Sequence, residues 1–444
     1  MPCHMSGHQT GDFATNQFKH TPYAPKGAFG AGVQSDDDSC SMVGGVADYL
    51  VTGGAGFIGS ALVIRIRRRY PSAVIKVIDN LWRGNLENLR METDFAIDIA
   101  QHFHNVDLMD YEQSARIIRC SRTLYHLADI VAGIDFVFAN QAFVFRQNVL
   151  INSNTLAAVL SARSRVENYI YVGTACSFPK HLQMSYTVSA LLENQTYPAN
   201  PESSYGWSKL MGEYEASLQR NRQDNHLNIT LLRFHNVFGP RMIHGAGAQA
   251  ISALIFKAIN LETTGVGPHV FDVFGSGKQY RDFVFVDDIV HALMLAPSAY
   301  GQGVVQIGTG CAVTVDSLAY MIARMVDHAF QKKISPRFLP RGLDGDRGRV
   351  ADTHRAENIM GWRPSTLFET GLALTFNRIA TDMLHQHNQS SSAVFPAVSE
   401  HMLARVREWD KRVREFPEES VQGLTAAALG TGQHDSKVPD GVKK

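Results

Sequence analysis

A single glycine-rich stretch limits the folds open to this chain more than any other feature. Tyr49-Leu50-Val51 is an apolar run that ends in Thr52-Gly53-Gly54 and passes into a helical pattern through Ile58, Leu62 and Ile66. Strand, tight turn and helix in that order are the context in which Gly53, Gly56 and Gly59, with Gly54 completing GxGxxG, bring a pyrophosphate to a helix N-terminus. A second apolar run, Val74 to Ile78, closes on Asp79, twenty residues beyond Gly59. A carboxylate there can bond a ribose 2′-hydroxyl and repels a 2′-phosphate, so the pattern predicts NAD in preference to NADP.

Further runs at 123–127, 169–172 and 229–233 alternate with helical stretches at 148–163 and 204–220. The alternation predicts an α/β fold, a Rossmann-type doubly wound parallel sheet. The expected division is an NAD-binding domain over 47–240, completed by about residues 280–310, with a smaller, discontinuous C-terminal substrate lobe over 241–279 and 311–385. Residues 1–46 read as a disordered extension, and 386–444 as a linker, an amphipathic helix and a disordered tail. Met402, Val406, Trp409, Val413 and Phe416 form that helix's apolar stripe, read as docking on the body of the protein in preference to an oligomer contact.

Composition narrows the partners. Among 444 residues, 42 Lys and Arg balance 42 Asp and Glu, which removes the broad basic field that nucleic-acid binding needs. No apolar run approaches the length of a membrane span, and the first residues lack the apolar centre of a signal peptide. Cys3, Cys40, Cys120, Cys176 and Cys311 are odd in number and scattered without CxxC pairing, so neither a disulfide framework nor a metal site is expected. A reducing, cytoplasmic setting fits that reading.

Tyr205 and Lys209 lie four apart on the 204–220 helix, so they share a face where an ammonium can ease a proton off the phenol. Around this pair the chain resembles the extended short-chain dehydrogenase/reductase family of nucleotide-sugar epimerases and dehydratases over roughly residues 48–380. The resemblance rests on TGGAGFIG at 52–59, VIDNLWRGNLENL at 77–89, NVDLMD around Asp107, YHLAD at 125–129, VGTACSFP at 172–179, YGWSK at 205–209, RFHNVFGP at 233–240, GSGKQYRDFVFVDD at 275–288 and MGWRP at 360–364. It implies that Tyr205 takes a sugar hydroxyl proton while hydride leaves for the nicotinamide, that Lys209 supports it, and that Thr174 bonds the same oxygen. Phe57, Ile58, Asn80, Asp107 and Leu127 join the glycines and Asp79 as implied cofactor contacts, and a homodimer built through the Tyr205 helix is implied as well.

Cys176 sharpens the expectation, because a thiol beside a sugar ring can exchange a carbon-bound proton. VGTACSFP is similar to the matching stretch of the GDP-mannose 3,5-epimerase and GDP-fucose synthase branches of the family, in which this cysteine acts at carbons flanking a 4-keto group. ADIVAGIDFV, with Gly133, and RFHNVFGP, with Asn236, lean toward the 3,5-epimerase branch. GLDGDRGRVADT implies that Arg347 and Arg349 clamp a diphosphate, with Arg281 a further candidate. That branch places a lysine in the loop after Gly239-Pro240, and here His244 is the candidate second acid/base. The expected activity is epimerisation of a nucleotide-linked hexose, GDP-linked by preference, at C5 and C3 through a transient 4-ketone. The alternatives are a 4-keto-sugar epimerase/reductase, a UDP-sugar 4-epimerase or decarboxylase with Cys176 a bystander, and a silent NAD-binding scaffold.

Overall fold

The computed structural model describes residues 40–220, 227–245, 247–262, 269–339 and 346–389. Seven strands build the central sheet: β1 (Ala47–Thr52), β2 (Ile75–Ile78), β3 (Phe103–His104), β4 (Ser121–His126), β5 (Asn168–Thr174), β6 (Asn228–Phe234) and β7 (Val304–Ile307). Every neighbouring pair is parallel, in the order β3-β2-β1-β4-β5-β6-β7. Parallel sheets need cover on both faces. On one face Leu62, Ile66, Ile289 and Leu293 pack against Val51 and Val77; on the other Ile117, Val144 and Ile151 pack against Leu50, Leu124 and Tyr169. The expected doubly wound α/β fold is the observed one.

Strand order reverses between β1 and β4, where crossovers leave in opposite directions and a crevice opens beyond the carboxyl ends. The register brings those ends level: Thr52 stands beside Ile78 and His126, and Thr174 beside Phe234, itself beside Ile307. Gly53, Asp79, Leu127, Ala175 and His235 therefore all emerge along one edge. After β6 the chain forms short pairs away from the sheet: Asn236–Phe238 with Phe283–Phe285, and His269–Phe274 with Ile334–Leu339, both parallel. Tyr280–Arg281 lies between Val313–Thr314 and Gly348–Ala351.

The amino-terminal end of the sheet corrects the reading of the cysteines. Cys40 and Cys120 form a disulfide with Cα atoms 5.6 Å apart, across 80 residues of sequence. A lone bridge of this kind leaves no spacing pattern, because only the tertiary fold brings its ends together. It also removes the ground on which a reducing compartment was expected. Residues 40–46, assigned from sequence to the disordered extension, are placed against the sheet instead: Cys40 is buried, and Gly45 accepts from the ammonium of the buried Lys76. Residues 1–39, the 402–416 stripe and the tail from Gly430 lie outside the described residues. Among the described residues no helix is long and apolar enough to cross a membrane.

Candidate active site

The crevice is a cavity of about 1200 Å³ lined by the glycine turn, Asp79, the segment after β4, Thr174, Cys176, Tyr205 and Lys209. Helix Phe57–Arg69 begins at Gly56 with no side-chain cap, leaving its first N–H groups for a ligand. At Gly59 a Cβ would stand 2.2 Å from the Gly53 carbonyl oxygen, so the turn closes this tightly only without one. Asp79 receives the Ala55 and Leu81 N–H groups at 3.0 and 2.8 Å, which ties the end of β2 to the turn. Burial pushes its carboxyl up, and those backbone donors oppose the shift. Phe57, Ile58 and Leu127 line the same cavity, as do Asn80 and Asp107, joined by a 3.0 Å hydrogen bond. A capless helix start, a turn too tight for side chains and a carboxylate at the end of β2 are the features a dinucleotide with a free 2′-hydroxyl needs.

The junction of β1 and β4 is pinned from behind. Thr52 Oγ1 lies 2.9 Å from His126 Nδ1 and accepts from the Leu127 and Ala128 N–H groups, while His126 Nε2 meets Asn152 Oδ1 at 3.0 Å. Burial, with Lys209 adding to it, holds His126 down at about 3, so this ring is a neutral brace.

Tyr205 and Lys209 reach the cavity because helix Ser204–Arg220 lies unusually close to the turn after β5. A Cβ at Gly206 would sit 2.2 Å from the Cys176 carbonyl oxygen. Thr174 Oγ1 accepts the Cys176 N–H at 3.2 Å, fixing the start of that turn. The Tyr205 hydroxyl donates to Asp129 Oδ2 at 3.0 Å, and Lys209 Nζ lies 3.4 Å from the same oxygen. Burial, then Asp129 and Cys176, push the Tyr205 hydroxyl well above the ordinary tyrosine range.

Cys176 Sγ accepts from Arg349 Nη1 at 2.9 Å, and Arg349 Nη2 is paired with Asp346. Burial opposes the Arg349 charge, but the Cys176 sulfur and the Asp346 carboxylate more than offset it and hold its proton more tightly than usual. Arg281 is half-buried beside it; desolvation and the neighbouring Arg349 bring it down to about 10. Glu202, 3.1 Å from Lys180, is pushed up by burial and by Asp346.

Other candidates are distributed differently from the expectation. Gly133 and Asn236 line the cavity, Gly133 donating to the Gly247 carbonyl at 3.1 Å. Arg347 turns away, donating to the Met184 carbonyl and lying over the Tyr186 ring, so the two arginines of the RGR stretch part company. His244 faces an adjacent cavity of about 940 Å³, its ring 5.8 Å from Phe256. His235 also lines the main cavity, its Nε2 on Gln306 and its Nδ1 without a partner among the described residues. Asp129 was not singled out from sequence, because the Tyr205 and Lys209 side chains it meets come from a distant segment, and Asp346 was passed over beside the arginines of its own stretch.

Residues 49–308 match the NAD dependent epimerase/dehydratase family. The chain is similar to the GDP-mannose 3,5-epimerase of Arabidopsis thaliana, 27% identical over 73% of this chain and 80% of that protein. It is 28% identical to the UDP-glucose 4-epimerase of Mycolicibacterium smegmatis over 73% of this chain and 96% of that one. The solved structure of the Thermus thermophilus UDP-glucose 4-epimerase complexed with NAD has a TM-score of 0.61 at 26% identity, covering 75% of this chain and 98% of that chain.

Proposed function

The chain belongs to the NAD dependent epimerase/dehydratase family, and we propose that it epimerises a nucleotide-linked hexose, GDP-linked by preference, at C5 and C3 through a transient 4-ketone. One observation carries the finer reading: Cys176 Sγ opens on the same cavity as Tyr205 and Lys209 and is held there by Arg349 at 2.9 Å. The similarity to a GDP-mannose 3,5-epimerase favours the same substrate class.

The residues present fit NAD. Gly53, Gly56, Phe57, Ile58 and Gly59 would hold its pyrophosphate, and Asp79, with Asn80, Asp107 and Leu127 nearby, its adenosine half. Bound there, the cofactor supplies a hydride acceptor that returns what it takes. Tyr205 Oη exchanges a proton with the C4 hydroxyl, and Thr174 Oγ1 orients that oxygen. A ketone at C4 acidifies the neighbouring C–H bonds, and Cys176 Sγ accepts or returns the proton on one face. Arg281, with Asn236 and Gly133, is assigned to the substrate. Phe143, Phe145 and Leu150 on helix Gln141–Val159 and Tyr214 and Leu218 on the Tyr205 helix are exposed apolar groups on packed neighbours, which supports a homodimer through that pair.

His244 in the adjacent cavity favours a second reading, a UDP-sugar 4-epimerase, since that reaction needs no acid/base opposite Cys176. Turnover of GDP-mannose in D₂O separates the two. Deuterium entering C3 and C5, and lost in Cys176→Ala, supports the first; UDP-glucose converted with no carbon-bound deuterium, unaffected by Cys176→Ala, supports the second.

A further inference from the structure

The side chain of Arg83 joins three separate walls of the main cavity. It comes from the loop after β2, which is anchored at its base: Asn85 donates its backbone N–H and Asn88 its side-chain amide to the Ala55 carbonyl of the glycine turn, at 3.0 and 2.9 Å. Leu81 turns that loop with φ at 58°, in the left-handed region that a leucine rarely enters, and the Asp79 and Asn80 side chains hold the Leu81 and Trp82 N–H groups. From there Arg83 Nη1 donates to the Val131 carbonyl at 2.9 Å, in the segment after β4, and Nη2 to the Gly247 carbonyl at 3.3 Å, beyond Gly239-Pro240. The Gly247 carbonyl also accepts the Gly133 N–H, so segments far apart in sequence meet at one guanidinium. Beside it the Trp82 and Phe136 rings, 6.1 Å apart, extend the contact.

Backbone carbonyls satisfy the donors of Arg83 but not its charge. Among the described residues no carboxylate pairs with it, and Asp129, the acid whose field it feels, is engaged by Tyr205 and Lys209. A half-buried cation without a counter-ion is costly until an anion joins it. Arg83 lines the same cavity as Gly56, where helix Phe57–Arg69 leaves its first N–H groups open, and the anion suited to that start is the pyrophosphate of the family's cofactor.

We propose that Arg83 is the latch of the cofactor enclosure: it ties the Val131 and Gly247 walls together while NAD is bound, its charge opposed by the pyrophosphate, and NAD leaves only after Arg83 lets go. The coupling runs both ways. NAD tightens the tie by supplying the missing anion, and the tie slows the loss of NAD. A reaction that removes a hydride and then returns it uses one cofactor twice, so slow release serves it. The latch itself requires the family's cofactor and no particular sugar.

The test uses the full-length protein, stripped of NAD and reconstituted with NADH, whose bound fluorescence disappears when excess NAD displaces it. Release from Arg83→Gln is expected to be at least about tenfold faster than from the native protein, the scale of losing charge-assisted hydrogen bonds. Arg83→Lys, which keeps a charge but cannot reach two diverging carbonyls, is expected to release about as fast as Arg83→Gln. A native release rate in Arg83→Gln overturns the latch. A native rate in Arg83→Lys overturns it too, because charge alone would then hold the cofactor. Hydrogen exchange gives a second readout that needs no release. The Gly133 amide is expected to exchange at least about tenfold faster in the cofactor-free native protein than in the NAD-loaded one, a difference that Arg83→Gln abolishes. Unchanged exchange on loading sinks the proposal, and so does an Arg83→Gln protein in which β4 and β5 exchange faster along with Gly133, since that marks a general loosening of the fold. Neither measurement uses a sugar, so both stand whether or not GDP-mannose is turned over.

Discussion

Arg349 serves two partners with one planar group: Nη1 points to the Cys176 sulfur and Nη2 to Asp346. A lysine could reach one of them but not both, because an ammonium lacks the divergent fork of a guanidinium. On the proposed reaction, Arg349→Lys is expected to lower deuterium exchange at C5 and C3 by about ten- to a hundredfold relative to NAD reduction at C4, since positioned acid/base groups carry effects of that order. The two rates measured on one preparation decide it; equal losses would mean that Arg349 serves binding generally and not the thiol. Sequence reasoning identified Arg349 by motif but placed it on a diphosphate, because a motif fixes a residue's neighbours along the chain and not the atom its side chain finds. Asp129 was opaque for the same reason. In YHLADIVAG it is one acid in an apolar run, and the tyrosine that makes it interesting lies 76 positions further on.

Helix Ser204–Arg220 repeats that logic at the scale of an element. Tyr205, Lys209 and Glu213 recur every four residues and so share one face. Glu213 anchors that face to the sheet, receiving Arg233 Nε and Nη2 at 3.2 and 2.6 Å, while Arg233 Nη1 donates to Thr196 and the guanidinium lies over the Phe178 ring. Arg233 is wholly buried and Glu213 nearly so, and removing one partner strands the other charge. Glu213→Ala is expected to cost about 3–5 kcal/mol in urea unfolding, with Glu213→Ala/Arg233→Met recovering part of it. Additive losses in that cycle would contradict the coupling. The helix, from its first residue to its last, and five of the seven sheet strands, all but β3 and β7, were legible in sequence within a few residues, because apolar periods mark both. The three-residue pair Asn236–Phe238 and Phe283–Phe285 was not, since three residues hold no period and only their parallel pairing defines them.

For the molecule as a whole, chemistry and covalent bracing lie at opposite edges of one sheet. The site occupies the carboxyl ends of the strands. The Cys40–Cys120 disulfide sits at the amino ends, where Ala47 donates to the Cys120 carbonyl at 2.9 Å and pairs in register with Ser121. The bridge holds residues 40–46 over the start of β1, and with them the Gly45 carbonyl that receives Lys76, whose ammonium burial brings down to about 8. The unfolded chain keeps that lysine protonated up to its ordinary range, so between about 8 and 10.5 it binds protons the fold has released, and stability rises with pH there. Loosening the 40–46 segment lets water reach Lys76 and flattens that rise. The cross-link spans 80 residues, and a loop of that size implies about 4 kcal/mol by chain entropy. Cys40→Ser/Cys120→Ser is therefore expected to lower urea stability by up to about 4 kcal/mol, to show a weaker gain toward alkaline pH, and to retain NAD, because the cofactor turn hangs from the far ends of β1 and β2. An unchanged urea midpoint would mean that packing alone holds the segment. Cofactor loss in step with stability would mean that the two edges are coupled through the sheet, against the separation on which this prediction rests.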